Sequence, residues 1–205
     1  MYKKPVIVFE GIEGSGKTHH INLVSNYLKK KRIDHIKIRE PGGNKNSEKI
    51  RNLILSNKSN FNNNTDLLLY LAARSENIEY LKKYYKKRII LIDRFIDSTI
   101  AYQVYGKKVD IKFIDNIHKK ILQGIKPNIV FILKVSQQSS RRRLKKRKSK
   151  NRYDNFAQSF YNKAQKSFIK IAKNKKNYFI LDSSNNDNFL EHKIFDVCQK
   201  YLNIK

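Results

Sequence analysis

The sequence predicts an α/β fold, a five-stranded parallel sheet flanked by helices on both faces. Three observations predict it. Five short apolar runs rich in β-branched residues alternate with longer stretches whose apolar residues recur three or four apart, and a glycine-rich turn follows the first run directly. Strands alternating with amphipathic helices are the pattern of a parallel sheet, because parallel neighbours need a crossover between them.

Val6 to Phe9 reads as a buried strand, and Ile21 to Leu28 behind it as a helix with one apolar face. Ile33 to Ile38 is the second strand; it ends in Arg39-Glu40-Pro41-Gly42-Gly43, where proline and glycine turn the chain. Asn57 to Asn64 is a polar, asparagine-rich loop, and Leu67 to Tyr85 a helix. Ile89 to Ile92 is the third strand, Phe113 to Leu122 a helix and Ile129 to Val135 the fourth strand. The stretch from Arg141 to Arg152 holds neither acidic nor aromatic residues, and reads as a solvated helix or a mobile segment suited to a polyanion. Tyr178 to Leu181 is the last strand, and a helix around Phe189 to Leu202 closes the domain. No repeat and no Pro/Gly/Ser linker divides the 205 residues, so one domain over 1–205 is expected, with a lid segment at about 141–154.

Composition excludes several classes. No uninterrupted apolar run, Ile129 to Leu133 included, approaches the ~20 residues a bilayer requires. The apolar stretch after Lys3 and Lys4 is interrupted by Glu10, unlike a signal peptide. Cys198 is the single cysteine, so no intrachain disulfide or cysteine-rich zinc site is expected, and the composition suits a reducing cytoplasm. Lys and Arg number 45 against 17 Asp and Glu, a net charge of +28 that invites nucleic acid as a partner. Yet 34 of the 45 are Lys in a chain also heavy in Asn and Ile, the mark of an AT-rich genome on surface positions. The eleven arginines say more: five of them (Arg141, Arg142, Arg143, Arg147, Arg152) fall in one short stretch, and guanidinium suits bidentate phosphate contacts as ammonium does not.

Chemistry is concentrated behind the first strand. Gly11-Ile12-Glu13-Gly14-Ser15-Gly16-Lys17-Thr18 is a complete phosphate-binding loop, G-x-x-x-x-G-K-[ST], between a strand and a helix. Glycines allow the backbone N–H groups to point inward, the helix presents its positive end, Lys17 neutralises β/γ-phosphate charge and the Thr18 hydroxyl suits Mg²⁺. The pattern implies a P-loop NTPase fold that binds ATP or GTP. The third strand runs into Asp93-Arg94. A carboxylate at the C-terminal end of a parallel strand faces the ligand crevice, so Asp93 is a candidate to position Mg²⁺ or the reacting groups, with a helix cap as the plainer reading. Arg94 and Arg39 are candidates for a second phosphate.

These residues, with Phe9-Glu10-Gly11, Leu71-Ala72-Ala73-Arg74 and Ser98-Thr99-Ile100-Ala101-Tyr102-Gln103, stand in the order and spacing of the bacterial thymidylate kinase family, which the chain resembles over nearly its whole length. The likeness continues through Arg143, Arg147 and Asn151-Arg152-Tyr153-Asp154 to Phe160 and Phe168. The resemblance implies transfer of the ATP γ-phosphoryl group to dTMP with Mg²⁺, a cytoplasmic homodimer joined through helices, and no specific nucleic-acid or membrane partner. It implies that Gly11, Glu13, Gly14, Ser15, Gly16, Lys17, Thr18 and Arg143 hold ATP, with Thr18, Asp93 and Glu13 at the metal. Arg94 and Arg39 would bind the dTMP phosphate, Glu13 would also sit near the sugar 3′-hydroxyl, Tyr70 would stack on thymine, Arg74, Thr99 and Gln103 would read its polar edge, and Ser98 would be a further substrate contact. Tyr102 would crowd the sugar 2′ position. For Tyr70 and Tyr102 the residues alone favour ordinary core packing. Because the phosphate loop contains no arginine, the resemblance assigns the transition-state guanidinium to the lid, where Arg143, Arg147 and Arg152 match, with Arg147 and Arg152 as catalytic candidates beside Lys17, Asp93 and Arg94. A solvated basic helix is the plainer reading of Arg141, Lys145, Lys148 and Lys150.

Departures from the family pattern are Lys134 in Leu133-Lys134-Val135, Asn151 before Arg152, and His19-His20 after the loop threonine. Adjacent helical positions diverge by about 100°, so the two histidines are expected to pack against solvent or the adenine side and not to share a metal. Two other functions compete: a kinase acting on another nucleoside or monophosphate, and a nucleic-acid-binding P-loop protein. Against the second, the basic run lacks interleaved aromatics for base stacking.

Overall fold

The computed structural model describes residues 4–147, 151–185 and 188–203, apart from the side chains of Asp154 and Asn155. Lys148 and Lys150, read above as basic helix, lie outside the described residues. Five parallel strands are in place: β1 (Val6–Glu10), β2 (His35–Arg39), β3 (Ile89–Asp93), β4 (Ile129–Lys134) and β5 (Tyr178–Asp182). Their order across the sheet is β2-β3-β1-β4-β5. The connections therefore leave β1 on both sides, and the crevice that opens at such a reversal lies beyond the C-terminal ends of β1 and β3.

Alternation along the strands divides the core into two layers. Ile7, Phe9, Leu91 and Phe131 face α1 (Lys17–Lys30) and α8 (Asn188–Leu202), where Ile21, Val24, Leu28, Ile194 and Cys198 are buried. Val6, Val8, Ile92 and Ile132 face the other way, against α3 (Asn63–Lys82) and α7 (Gln158–Ala172), through Ile78, Leu81, Ala164 and Phe168. A smaller cluster of Leu67, Leu71 and Ile114 joins α3 to α5 (Ile111–Ile121). β1, β3 and β4 are apolar on both faces, as strands covered on both sides must be.

The structure differs from the sequence expectation at three places. β2 begins at His35 and not at Ile33, because the Ile33 N–H is spent on the Leu28 carbonyl (2.9 Å) in closing α1. The asparagine loop is shorter than expected: α3 already starts at Asn63, since the Asn62 side chain accepts from the Thr65 N–H (2.9 Å) as an N-cap. A helix the periodicity did not reveal, α2 (Lys45–Leu55), is capped by Asn44, which accepts from the N–H groups of Asn46 and Ser47. Its apolar residues crowd into the last turns, so the repeat is too short to read.

After β3 the chain makes one α-helical turn, α4 (Ile96–Thr99), and then widens into a π-helical stretch, Ile100–Gly106. Three consecutive residues there, Ala101, Tyr102 and Gln103, are buried. Wide turns of this kind are frequent at functional sites. The basic stretch is helical only through α6 (Gln137–Lys145); a 3₁₀ turn follows at Arg152–Asn155. Phe168, fully buried on α7, holds the wide turn from behind, its ring centroid 6.1 Å from that of Tyr102. Phe168→Ala should therefore cost about 3–5 kcal/mol in urea denaturation, the range for removing a buried phenyl group. A loss below about 1 kcal/mol would mean that the wide turn stands without it.

Candidate active site

The C-terminal ends of β1 and β3 open on a crevice of about 730 Å³, lined by the phosphate loop, the turn after β2, residues of α2, α3 and the π-helical stretch, and Arg143, Arg147 and Tyr153. The loop is braced from behind. Ser140 on α6 donates its hydroxyl to the Glu13 carbonyl (2.8 Å), and Ser183, just after β5, donates to the Ser15 carbonyl (2.9 Å). Arg143 joins the two braces by donating to the carbonyls of Gly14 (3.0 Å) and Ser183 (2.7 Å). Gly14, at φ 73°, could not carry a side chain: a Cβ would fall 2.8 Å from the Ser140 carbonyl oxygen. The loop conformation is thus fixed by sequence on both sides.

Lys17 lies buried inside the loop, donating to the carbonyls of Gly11 and Ile12, each at 2.9 Å. Burial and the nearby Arg94 push its ammonium down to about 8. Thr18 donates its hydroxyl to the Asp93 carboxylate (2.9 Å), so the two oxygens expected at a metal meet, and Asp93 does not cap α4. Among the described residues no group of three or more His, Cys, Asp and Glu has the geometry to hold a metal ion. One hydroxyl and one carboxylate beside a phosphate loop is instead the donor set that suits Mg²⁺, which takes few protein ligands and completes its shell with phosphate and water.

Arg94 is the hub of the crevice. It takes a left-handed backbone (φ 69°) directly after β3 and donates to Glu13 (2.8 Å), to the Gly11 carbonyl (3.0 Å) and to Ser98 (3.1 Å). Glu13 also accepts from the Tyr102 hydroxyl at 2.5 Å. Burial opposes ionisation of Glu13, but Arg94 and Lys17 outweigh it and hold the carboxyl below its usual range. Arg94 in turn lies over the Tyr102 ring, 5.3 Å from its centroid.

On the far side of Arg94 the crevice is lined by Tyr70, Arg74, Thr99 and Gln103. Arg74 is 3% exposed and almost saturated: it donates to Glu40 (2.7 Å), Thr99 (2.8 Å), His118 Nε2 (2.7 Å) and the Phe95 carbonyl (2.9 Å). His118 can accept only as neutral imidazole; burial and the adjacent guanidinium lower its pKa to about 3. Gln103 is 2% exposed and its Oε1 has no partner in the protein.

Some sequence-predicted residues fall elsewhere. Arg39 reaches the crevice wall, but its guanidinium is taken up by Glu48, with bonds of 2.9–3.1 Å. Ser98 gives its hydroxyl to buried Glu10 (2.5 Å) and not to the open crevice. Arg147 lines the crevice; Arg152 does not, because it is drawn to Asp66, a buried carboxylate at the start of α3 that also takes Lys107 and the Tyr153 hydroxyl. His19 is exposed and bonded to Glu191 (3.2 Å), while His20 is buried, as their separate directions required. Lys134 meets Asp182, its register partner on β5, at 3.5 Å. Sequence reasoning missed Arg51, which lines the crevice and donates to the Pro41 carbonyl (2.7 Å), and Tyr153, whose ring stands edge-on to Tyr70 at 6.3 Å. An arginine in a chain that otherwise uses lysine was the available signal for Arg51.

This geometry agrees with comparison to known proteins. Residues 9–194 match the sequence model of the thymidylate kinase family. The chain is similar to the thymidylate kinase of Thermosipho africanus, 36% identical over 198 residues, 96% of this chain and 98% of that one. It is also similar to the thymidylate kinase of Wolbachia pipientis wMel, 42% identical over 171 residues, 81% and 84% of the two chains. The crystal structure of thymidylate kinase from Ehrlichia chaffeensis superposes with a TM-score of 0.77 at 31% identity, covering 96% of this chain and 99% of that one. A phosphate loop braced on both sides, an arginine hub at the end of β3 and this likeness along the sequence lead to one statement: the chain belongs to the thymidylate kinase family.

Proposed function

We infer that the chain is a dTMP kinase, moving the γ-phosphoryl group of ATP to dTMP to give dTDP and ADP in the supply of DNA precursors. A phosphate oxygen of dTMP bonds to the γ phosphorus as the bond to the β–γ bridging oxygen breaks, roughly in line. The loop amides between Gly11 and Thr18, with Lys17, hold the ATP phosphates, and Arg143 keeps the loop braced. Thr18 and Asp93, with Glu13 nearby, would hold Mg²⁺, which when bound neutralises charge on the β- and γ-phosphates. Arg94 meets the dTMP phosphate, supported by Arg39 and Arg51 on the crevice wall. Arg147, facing the crevice, takes the transition-state role in preference to Arg152, which is paired with Asp66.

The observation that carries the acceptor assignment is what Arg74 and Gln103, which both line the crevice, leave open. Arg74 has five N–H donors, and four are committed to Glu40, Thr99, His118 and Phe95. One Arg74 donor is left uncommitted, and the Gln103 Oε1 acceptor has no partner in the protein. One donor and one acceptor complement the O4 and N3–H of thymine or uracil and mismatch cytosine, while Tyr70 offers a face for stacking. Tyr102, fixed by Glu13 and backed by Phe168, would stand against the sugar 2′ position.

The chain reads as one kinase domain with its lid segment at about 141–154. Among the described residues no helix is long and apolar enough to cross a membrane, and the single cysteine is buried, in keeping with work in the cytoplasm. Leu53 on α2, Leu68 on α3 and Ile111 and Phe113 at the start of α5 are exposed at 54%, 50%, 40% and 46%. An apolar face of this kind on adjoining helices supports a homodimer.

Three measurements test these readings. Coupled ADP release with rival acceptors should rank kcat/KM as dTMP, then dUMP, then UMP, with CMP, GMP and thymidine far behind; a base edge mismatched to buried polar groups costs up to ~10⁴-fold, a missing methyl only ~10- to 200-fold. Comparable rates with GMP or thymidine would refute the acceptor while leaving the ATP site standing. Light scattering of Leu68→Glu should report a monomer where the parent chain is a dimer; a monomeric parent chain would remove the dimer reading. For His118 the sign is fixed: its pKa falls on folding, so the unfolded chain alone takes up the proton between about pH 6.5 and 3, and stability drops as pH falls through that window. Relative to His118→Asn, the parent chain should lose about 2 kcal/mol between pH 8 and 5. Parallel pH profiles for the two chains would show that His118 does not need to be neutral.

A further inference from the structure

Glu10 closes β1 with a carboxylate that is 0% exposed, at a position where the register partner on β4 is Ile132. A buried carboxylate among isoleucines is costly unless its oxygens are bonded. All of the bonds are made to one turn. Oε1 accepts the N–H groups of Phe95 (2.8 Å) and Ser98 (3.2 Å), and Oε2 accepts the Ser98 hydroxyl (2.5 Å). That hydroxyl has a single proton, and with the proton committed to Glu10 its lone pairs turn to Nη1 of Arg94, 3.1 Å away.

The same turn carries the left-handed Arg94, a backbone conformation an arginine takes only when its surroundings impose it. Glu10 imposes it from behind by holding the N–H of the next residue and of Ser98. The guanidinium is then bracketed: Ser98 and the Gly11 carbonyl orient Nη1, and Glu13 orients Nη2. Every element of the bracket except Glu13 traces to residues 10 and 11 at the end of β1.

We propose that Glu10 is a positioning residue for the phosphoryl acceptor: through Ser98 and the 94–98 turn it aims the Arg94 guanidinium at the acceptor phosphate. Ser98 then serves as the relay between the two and not as a substrate contact. The proposal rests on the reading of Arg94 as the acceptor-phosphate ligand.

The test is a set of double-mutant cycles over Glu10→Gln, Ser98→Ala and Arg94→Ala, with ATP and acceptor varied separately and thermal melting recorded. Glu10→Gln keeps the shape and the two backbone bonds but turns a donor toward Ser98, so the relay proton has no acceptor. Loss of a charge-assisted orienting bond should lower kcat/KM for dTMP roughly ten- to hundredfold, leave KM for ATP within about twofold, and be matched by Ser98→Ala. In the Arg94→Ala background either substitution should cost less than about twofold further, since nothing remains to be aimed. Independent, multiplying losses in that background, an equal loss in KM for ATP, or parent-like kcat/KM in Glu10→Gln would each overturn the proposal. Should Glu10→Gln fail to fold, Glu10→Asp, which draws the carboxylate back from Ser98, takes its place in the cycles under the same criterion. If the parent enzyme prefers a different monophosphate, the cycles are run with that acceptor, so failure of the dTMP reading and failure of the Glu10 reading remain distinct.

Discussion

A guanidinium taken out of water must be paired, and the pairing of Arg94 organises the crevice. Its partners come from two segments: Gly11 and Glu13 from the phosphate loop, 83 and 81 positions away, and Ser98 from its own turn after β3. Glu13 holds Tyr102 in turn, and Tyr102 packs on Phe160 and Phe168, so the same charge ties the π-helical stretch and α7 to the loop. Breaking such a pair by removing one partner leaves a buried charge uncompensated, which is far more disruptive than the pair is stabilising. The sheet order makes the arrangement possible. β1 and β3 are neighbours, with Phe9 in register with Asp93, so the phosphate loop and Arg94 emerge side by side from adjacent strands.

Topology also gives part of the chain's large positive charge a local use. In a parallel α/β fold the crossover helices run opposite to the strands and end at the edge away from the crevice. Cations occupy those last turns: Lys29 and Lys30 in α1, Lys82 in α3, Lys119 and Lys120 in α5, Lys170 in α7 and Lys200 in α8. A cation there complements the negative end of the helix by up to about 1 kcal/mol at low salt. Acidic residues take the opposite ends, Glu48 in α2, Asp66 in α3 and Glu191 in α8. The arginines follow a different logic. Arg51, Arg74, Arg94, Arg143 and Arg147 line the crevice, where planar donors can be satisfied several at a time.

The architecture was almost wholly legible in the sequence because buried parallel strands are short, apolar and evenly interrupted by amphipathic helices. All five strands lie where the apolar runs place them. What escaped was set by backbone hydrogen bonding and short repeats: Ile33 spent on closing α1, Asn62 acting as a cap, and α2 with its apolar residues only at one end. The phosphate loop was legible in full, since its glycines and Lys17 are adjacent in sequence. Side-chain partnership was not. That Glu48 occupies Arg39, that Asp66 draws Arg152 away, and that Arg74 is nearly saturated are facts of three-dimensional contact between residues 9 to 86 positions apart. No periodicity encodes them.

The saturation of Arg74 changes what specificity means at this site. An arginine with five free donors would accept almost any electronegative edge, because it could rotate to suit each one. Glu40, Thr99, His118 and the Phe95 carbonyl remove that freedom, and each must keep its own protonation state to do so. A protonated His118 would place two cations 2.7 Å apart in a buried pocket, and its depressed pKa expresses that cost. On the reading proposed above, discrimination between base edges is a property of the packed core behind the crevice as much as of Arg74 and Gln103 themselves. The tyrosine pair belongs to the same scheme: Tyr153, held by Asp66, stands edge-on to Tyr70 and limits the tilt of its ring. Selectivity, on the reading proposed above, is stiffness supplied by buried polar groups that hold one another in place.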